Sequence, residues 1–374
     1  MMRYLLVLTV SLVILMSACS QDDSPGQPEE GQAPSDSAQD GASEETETET
    51  ADKDDEMETI AENLEEPWEI ERADDKFYVS ERTGAIVTID NDEQTRKPVQ
   101  FSKDLSNQPE AGLLGITLPD EFAETGEAIA YYSYQEDDTY YQRVVMIKES
   151  TDQWEETSVL LDEIPGGQVH QGGRIEIGPD DKLYVTTGDA TMEESAQNPD
   201  SLAGKILRMN PDGTIPDDNP FNNSYVYSYG HRNSQGLAWN GNEELYATEH
   251  GSNAYDEINR IVPGSNYGWP AIQGDETEED MTTPVIHSGS DTWAPSGMAC
   301  HEGFFYFGAL AGEGLYRFES ENETQERLIS GEGRVRDVYS TEDGIYFLTN
   351  NTDGRGNPAA NDDRLLFMPN NLLD

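Results

Sequence analysis

Beyond residue 60 the chain is built from short apolar runs, rich in aromatic and β-branched residues, that end at Gly, Asp or Asn; no long stretch keeps a helical period. The runs recur as a unit: an acidic or Gly turn, an aromatic-bearing strand, a loop and a second strand. DDKFYVSERTGAIVTID carries it around Phe77, EAIAYYSYQ with YQRVVMIK around Tyr132, and DKLYVTTGDA with GKILRMNPDG around Tyr184. EELYATEHG with DEINRIV repeats it at Tyr246, GFFYFGALAGEGLYRFE at Tyr306, and DGIYFLTNN with DRLLFMPN at Tyr346. The intervals between these anchors are 55, 52, 62, 60 and 40 residues, centred on the length of one four-stranded sheet. Six such sheets set radially make a ring whose packed sheets leave only short edges. The pattern therefore predicts an all-β fold, a six-bladed β-propeller forming one domain over residues 61–374. A pair of β-sandwiches is the alternative, and it gives no reason for six similar units.

The first sixty residues read differently. Arg3 precedes the apolar run LLVLTVSLVILM and then Ser-Ala-Cys, a run too short for a typical membrane-spanning helix and ordered as an export signal. It resembles a bacterial lipoprotein signal, so residues 1–18 are expected to be a signal peptide and Cys19 the lipidated mature N-terminus. The domain would then be extracytoplasmic and held to the membrane through the lipid anchor only. Residues 19–60, including SEETETETADKDDE, carry almost no large apolar side chain and are expected to be a disordered acidic linker. With Cys19 lipidated, Cys300 is the one cysteine left and no intrachain disulfide forms.

Composition narrows the partners. Across 374 residues, 22 Lys+Arg face 76 Asp+Glu, a formal net charge of −54, which excludes a phosphate-backbone binder and disfavours an anionic membrane surface. The acidic excess continues into the body of the chain, where self-repulsion opposes compaction unless salt screens it; adaptation to high ionic strength is expected, with recruitment of a cationic partner as the rival reading. Eighteen Tyr, ten Phe and five Trp supply the bulk for a core.

Three loops stand out, as functional residues on such a scaffold would. In GGQVHQGGR, His170 lies between Gly pairs, and an imidazole there suits general-base work near neutral pH. YSYGHRNSQGLAWN groups His231, Arg232, Asn233 and Gln235, donors that fit carboxylate or quinone-like oxygens. In ATEHGSNAYDEIN, Glu249, Asp256 and Glu257 accompany the exposed backbone of Gly251 to Asn253, a set of hard oxygen donors suited to calcium. Near the C-terminus, Arg334 and Arg336 are two apart, on one face of an extended strand, where they fit an anionic ligand or neutralise nearby carboxylates.

From about Pro67 onward these segments, with GLLGITLPDEF, GKILRMNPDGTIPDDNPF, GSNYGWP and RVRDV, resemble in order the PQQ-dependent glucose/sorbosone dehydrogenases, of the compact aldose sugar dehydrogenase type. The resemblance implies a six-bladed propeller that binds PQQ and calcium and oxidises aldose sugars at C1 to lactones. It assigns His170 as the general base and Arg232 and Asn233 to the quinone. Arg334 and Arg336 fall to the cofactor carboxylates, backbone carbonyls of Gly251 and Ser252 to calcium, and Glu110 to the cofactor-lining position before GLLG. Electrons would pass to a quinone or soluble acceptor, and the short stretch between GSNYGWP and APSGM implies a monomer. The chain departs from the glucose-dehydrogenase pattern at Val169, where that pattern has Asp; at Glu110, where it has Gln; and in lacking a Lys in LAGEGLYR. Two other functions fit such a scaffold, a calcium-dependent sugar lactonase and a non-catalytic binding propeller.

Overall fold

Alternation of side chains along strands explains how the sheets stack. In KFYVSE, Phe77 and Val79 pack with Ile70, Val87 and Leu348, whereas Tyr78 between them joins Ile86, Ile116 and Tyr132 on the opposite face. Both faces of the sheet are thus covered by neighbouring sheets. The computed structural model describes residues 56–91 and 93–373, so the expected signal peptide, Cys19 and the linker up to residue 55 lie outside the described residues.

The first sheet is a meander of β2 (Pro67–Ala73), β3 (Lys76–Glu81), β4 (Ala85–Asp90) and β5 (Glu93–Gln100), preceded in the chain by β1 (Glu58–Ala61). A second comprises β6 (Leu113–Thr117), β7 (Glu127–Glu136), β8 (Thr139–Glu149) and β9 (Trp154–Pro165). The third runs β10 (Gly172–Ile177), β11 (Leu183–Thr187), β12 (Lys205–Met209) and β13 (Val226–Tyr229). The fourth runs β14 (Ser234–Trp239), β15 (Leu245–Glu249), β16 (Glu257–Ile261) and β17 (Ile286–His287). The fifth is β18 (Pro295–His301), β19 (Phe304–Ala309), β20 (Gly314–Glu319) and β21 (Thr324–Ser330). In the last, β22 (Val335–Thr341), β23 (Gly344–Thr349) and β24 (Leu365–Pro369) are completed by β1 from the start of the domain. The one α-helix among the described residues is the single turn Phe122–Thr125, so the fold is all-β as expected.

Each anchor aromatic of the sequence repeat, Phe77, Tyr132, Tyr184, Tyr246, Tyr306 and Tyr346, falls on the second strand of a meander. The first strands form a ring: β2 packs on β6, β6 on β10, β10 on β14, β14 on β18, β18 on β22, and β22 returns to β2. One joint is stitched at the rim, where Val99 and Gln100 of β5 pair in parallel with Trp154 and Glu155 of β9 and fuse two meanders into an eight-stranded sheet.

The linker expected to run to residue 60 ends earlier. β1 starts at Glu58 because its backbone completes the last sheet, Glu58 opposite Phe367 and Ala61 opposite Leu365, and Ala61 is buried there with Leu64. At the centre of the ring Arg174 of β10 is fully buried. It pairs with Glu69 of β2 at 2.8 Å and Asp337 of β22 at 2.9 Å, and its Nε donates to the carbonyl of Gln235 on β14. Glu69 and Asp337 in turn accept the amides of Ile116 and Ile70. Gly297 of β18 leaves room for this knot: a Cβ there would lie 1.6 Å from Asp337 Oδ1.

Candidate functional site

In antiparallel meanders the loop before each first strand and the loop after each second strand lie at the same end of the ring. His170, Arg232, Asn233, Arg334 and Glu110 all precede first strands. Asp189, His250 and Asp353 follow second strands, so residues scattered over 243 positions of sequence (110 to 353) share one end of the ring. Surface grooves of about 330 Å³ beside Tyr184 and Trp239 and about 500 Å³ beside Tyr246 and Phe304 are lined by turns of the opposite end and hold none of these groups.

His170 stands in left-handed backbone, φ 60°, just before β10. Its carbonyl lies against β11's end: a Cβ on Gly188 would sit 1.9 Å from His170 O, so the approach requires glycine at 188. The imidazole Nδ1 is 2.8 Å from Oδ1 of Asp189, a fully buried carboxylate that also accepts Trp269 Nε1–H at 2.9 Å and the amide of Thr191 at 2.8 Å. A carboxylate at Nδ1 selects the tautomer with the proton there and leaves Nε2 as an acceptor. Arg232 Nη2 donates to that Nε2 at 3.0 Å. The His170 backbone N–H donates to Glu110 Oε2 at 2.8 Å.

Arg232 lies over the Trp269 ring at 5.3 Å, its Nη1 reaches the His250 carbonyl at 3.3 Å, and its Nε is buried with no hydrogen-bond partner. Burial lowers its pKa. Its neighbours divide the labour: Asn233 Oδ1 accepts the Gly172 amide at 2.9 Å, fixing the strand after His170, and Gln235 Oε1 accepts from Arg336 at 2.8 Å. His231 is fully buried between Ser228, Glu249 and the face of Tyr267, and serves the packing of this loop.

Arg334 and Arg336 converge on one carboxylate, Asp353, at 2.8 and 4.0 Å; β22 begins between them at Val335. Arg334 spends its other donors on the carbonyls of Asn350 and Leu310. Arg336 lies 4.3 Å over the Trp68 ring, donates to Gln235 and Ser296, and keeps a buried Nε without a partner; burial brings its pKa down to about 9. Glu110 is half-buried: burial raises its pKa, but the His170 amide and Arg355, 2.9 Å away, outweigh this and hold it below the usual value. His250 Nε2 is a further buried nitrogen without a partner, and burial pulls its pKa down to about 4.

The carboxylates of the third loop do not gather as a side-chain calcium site. Asp256 is consumed by the amides of Gly251, Trp293 and Ala294 and the Thr292 hydroxyl. Glu249 receives His231 and the Arg232 amide, and Glu257 receives the Gly274 amide. Among the described residues no three His, Cys, Asp or Glu side chains form a metal-binding group. What this loop offers is backbone: no donor among the described residues reaches the carbonyl oxygens of Gly251 or Ser252, while Asp256 braces the Gly251 amide.

Sequence reasoning missed Asp189, Trp269, His250 and Asp353. Asp189 closes the run TTGD and Trp269 lies in the run GSNYGWP, so the signal lay inside segments already singled out; only the fold shows that Trp269 donates to the carboxylate that holds His170.

The chain as a whole is similar to known proteins. Residues 64–360 match the family model for glucose/sorbosone dehydrogenases. The chain is similar to the PQQ-bound aldose sugar dehydrogenase from Streptomyces coelicolor, with 36% identity and a TM-score of 0.78 over 84% of this chain and 98% of that one. It is 27% identical to aldose sugar dehydrogenase YliI of Escherichia coli over 80% of this chain and 91% of the relative. Quinoprotein glucose dehydrogenase B of Acinetobacter calcoaceticus is 34% identical over 54% of this chain and 49% of its own length. The chain is a β-propeller oxidoreductase that belongs to the glucose/sorbosone dehydrogenase family.

Proposed function

We propose that the chain oxidises aldose sugars at C1 to lactones, using PQQ and calcium, with His170 as general base, and that its six meanders are the blades of a six-bladed propeller. The observation that carries the reading is the Asp189–His170–Arg232 line: a buried carboxylate on Nδ1 and an Nε2 lone pair that accepts from Arg232, at the end of the ring where unpaired buried nitrogens collect. The residues fit the cofactor. Arg336 Nε, Arg232 Nε and His250 Nε2 are orphaned donors or acceptors, and Arg334 and Arg336 share the single carboxylate of Asp353, leaving donor capacity for a polyanionic ligand. Arg334 and Arg336 would hold carboxylates, Arg232 and Asn233 the quinone edge, and the Gly251 and Ser252 carbonyls the calcium. Bound PQQ with calcium supplies an electrophilic quinone carbon that accepts the C1 hydride.

The protein's own part is proton transfer and orientation. His170 Nε2 takes the proton of the anomeric hydroxyl as the C1–H electron pair leaves with the hydride, and C1–O becomes the lactone carbonyl. Asp189 stabilises the imidazolium formed, and Arg232 steers the sugar oxygen toward Nε2 once it turns from its present contact. A quinone or soluble acceptor then takes the two electrons. A lactonase needs carboxylates converging on its metal, whereas Glu249, Asp256 and Glu257 are committed to internal partners. Export and lipidation at Cys19, with the monomeric state, complete the proposal.

The test is a PQQ titration of the purified chain in calcium and salt, read by cofactor absorbance and by dye reduction with a panel of aldoses. His170→Ala should still bind PQQ while losing about 10²- to 10⁴-fold in rate. An unchanged rate removes His170 from the mechanism, and absence of saturable PQQ binding leaves a propeller without this chemistry.

A further inference from the structure

Between β11 and β12 the chain makes an excursion from Gly188 to Gly204 that carries Asp189. Its regular structure is one 3-10 turn, Glu193–Gln197, and Ala190 and Thr191, directly after Asp189, stand at φ 52° and 63°, backbone that non-glycine residues enter at a cost. Such a segment needs an external hold, and Lys205 gives it. This first residue of β12 is fully buried, and its Nζ donates to the carbonyls of Ser195 at 2.9 Å, Ala196 at 3.0 Å and Ala203 at 2.6 Å. The Ala196 carbonyl also accepts the amide of Gly230, the residue before His231 and Arg232, and the Asp189 amide donates to the Arg232 carbonyl. One ammonium therefore ties the loop that bears Asp189 to the loop that bears Arg232.

Three carbonyls accept from this ammonium, no carboxylate among the described residues offsets its burial, and that burial pulls its pKa down to about 7. An apolar side chain would fill the same space without the penalty of burying a charge, so packing alone does not account for a lysine here. We propose that Lys205 is a positioning residue, whose ammonium holds the Gly188–Gly204 excursion so that Asp189 meets His170 Nδ1 while Arg232 meets Nε2. The proposal rests on His170 being the base, and it reaches further, to what sets the base's geometry.

Lys205→Met and Lys205→Gln, each checked for cooperative thermal unfolding, test it with two readouts. One is the ¹⁵N resonances of His170 in the chain without added cofactor, which report tautomer and the Nδ1 hydrogen bond; the other is dye-linked kcat and KM with PQQ, calcium and glucose. Lys205→Met should shift the His170 resonances toward those of Asp189→Asn and lower kcat about 100-fold with a smaller change in KM. Lys205→Gln, which still donates two hydrogen bonds, should recover part of both, and it carries the comparison should the Met variant fail to fold. Wild-type resonances and kcat in Lys205→Met overturn the proposal. So does a folded variant whose kcat falls while His170 is unchanged, because the loss then bypasses Asp189. If His170→Ala proves fully active while Lys205→Met still moves the His170 resonances, the general-base reading fails and the positioning role stands.

Discussion

The Asp189 carboxylate does more for the imidazole than hold it. With Trp269 and the Thr191 amide on its other lone pairs, it is fixed in place before any ligand arrives, so under the proposed general-base role no reorganisation would be spent when charge develops on His170. Asp189→Asn keeps the shape but offers Nδ1 an amide; dye-linked kcat should fall at least about 100-fold with PQQ binding retained, and a rate near wild type would mean the tautomer does not matter. Glu257 makes a prediction about stability. Burial first, then the nearby Glu249, push its pKa from 4.5 to about 8. The unfolded chain ionises this group at lower pH than the folded one, so stability falls as pH rises from about 4.5 to 8, by an amount of the order of a few kcal/mol, and is level in this term outside that window. Glu257→Gln should flatten that slope in melts taken across pH 4 to 9. Of the site, His170, Arg232 and the Arg334/Arg336 pair were legible because glycine density and scarce cations mark them. The internal partners of Glu249, Asp256 and Glu257 were not legible, because sequence lists carboxylates but not the buried donors that engage them.

The strands were legible because period-2 patterning and aromatic anchors survive in every meander, and each anchor sits on a second strand. What no local pattern announces is the pairing of distant elements. β1 reads as the tail of an acidic linker, and its partner β24 lies some 300 residues on; the β5–β9 stitch is equally silent. The knot at the ring's centre belongs to this scale too, since Arg174, Glu69, Asp337 and Gln235 come from four inner strands. Its atoms are buried, and Arg174 Nη2 has no hydrogen-bond partner. Arg174→Met should strand two carboxylates and cost about 3–5 kcal/mol, measured by denaturant unfolding. A loss under about 1 kcal/mol would show that the inner strands hold together by apolar packing alone.

For the whole molecule the dominant quantity is charge. A net −54 on one chain repels itself over distances that salt shortens, with a screening length of about 10 Å at 0.1 M and about 3 Å at 1 M. The unfolding midpoint should therefore climb between these concentrations of KCl, and a flat response would favour the reading in which the acidic surface exists for a cationic partner. Closure of the ring bears on something else. Because β1 completes the sheet of β24, Glu58 sits across from Phe367, and the first and last described strands come together at the rim while the candidate site gathers around the axis. The molecule is thus close to a circle in which the break in the backbone is almost arbitrary. A short peptide from Leu373 to Glu58 could seal it there, and the chain could be reopened at an outlying turn such as Asn240–Asn242, giving a circular permutant with the same six meanders and the same loops around the axis.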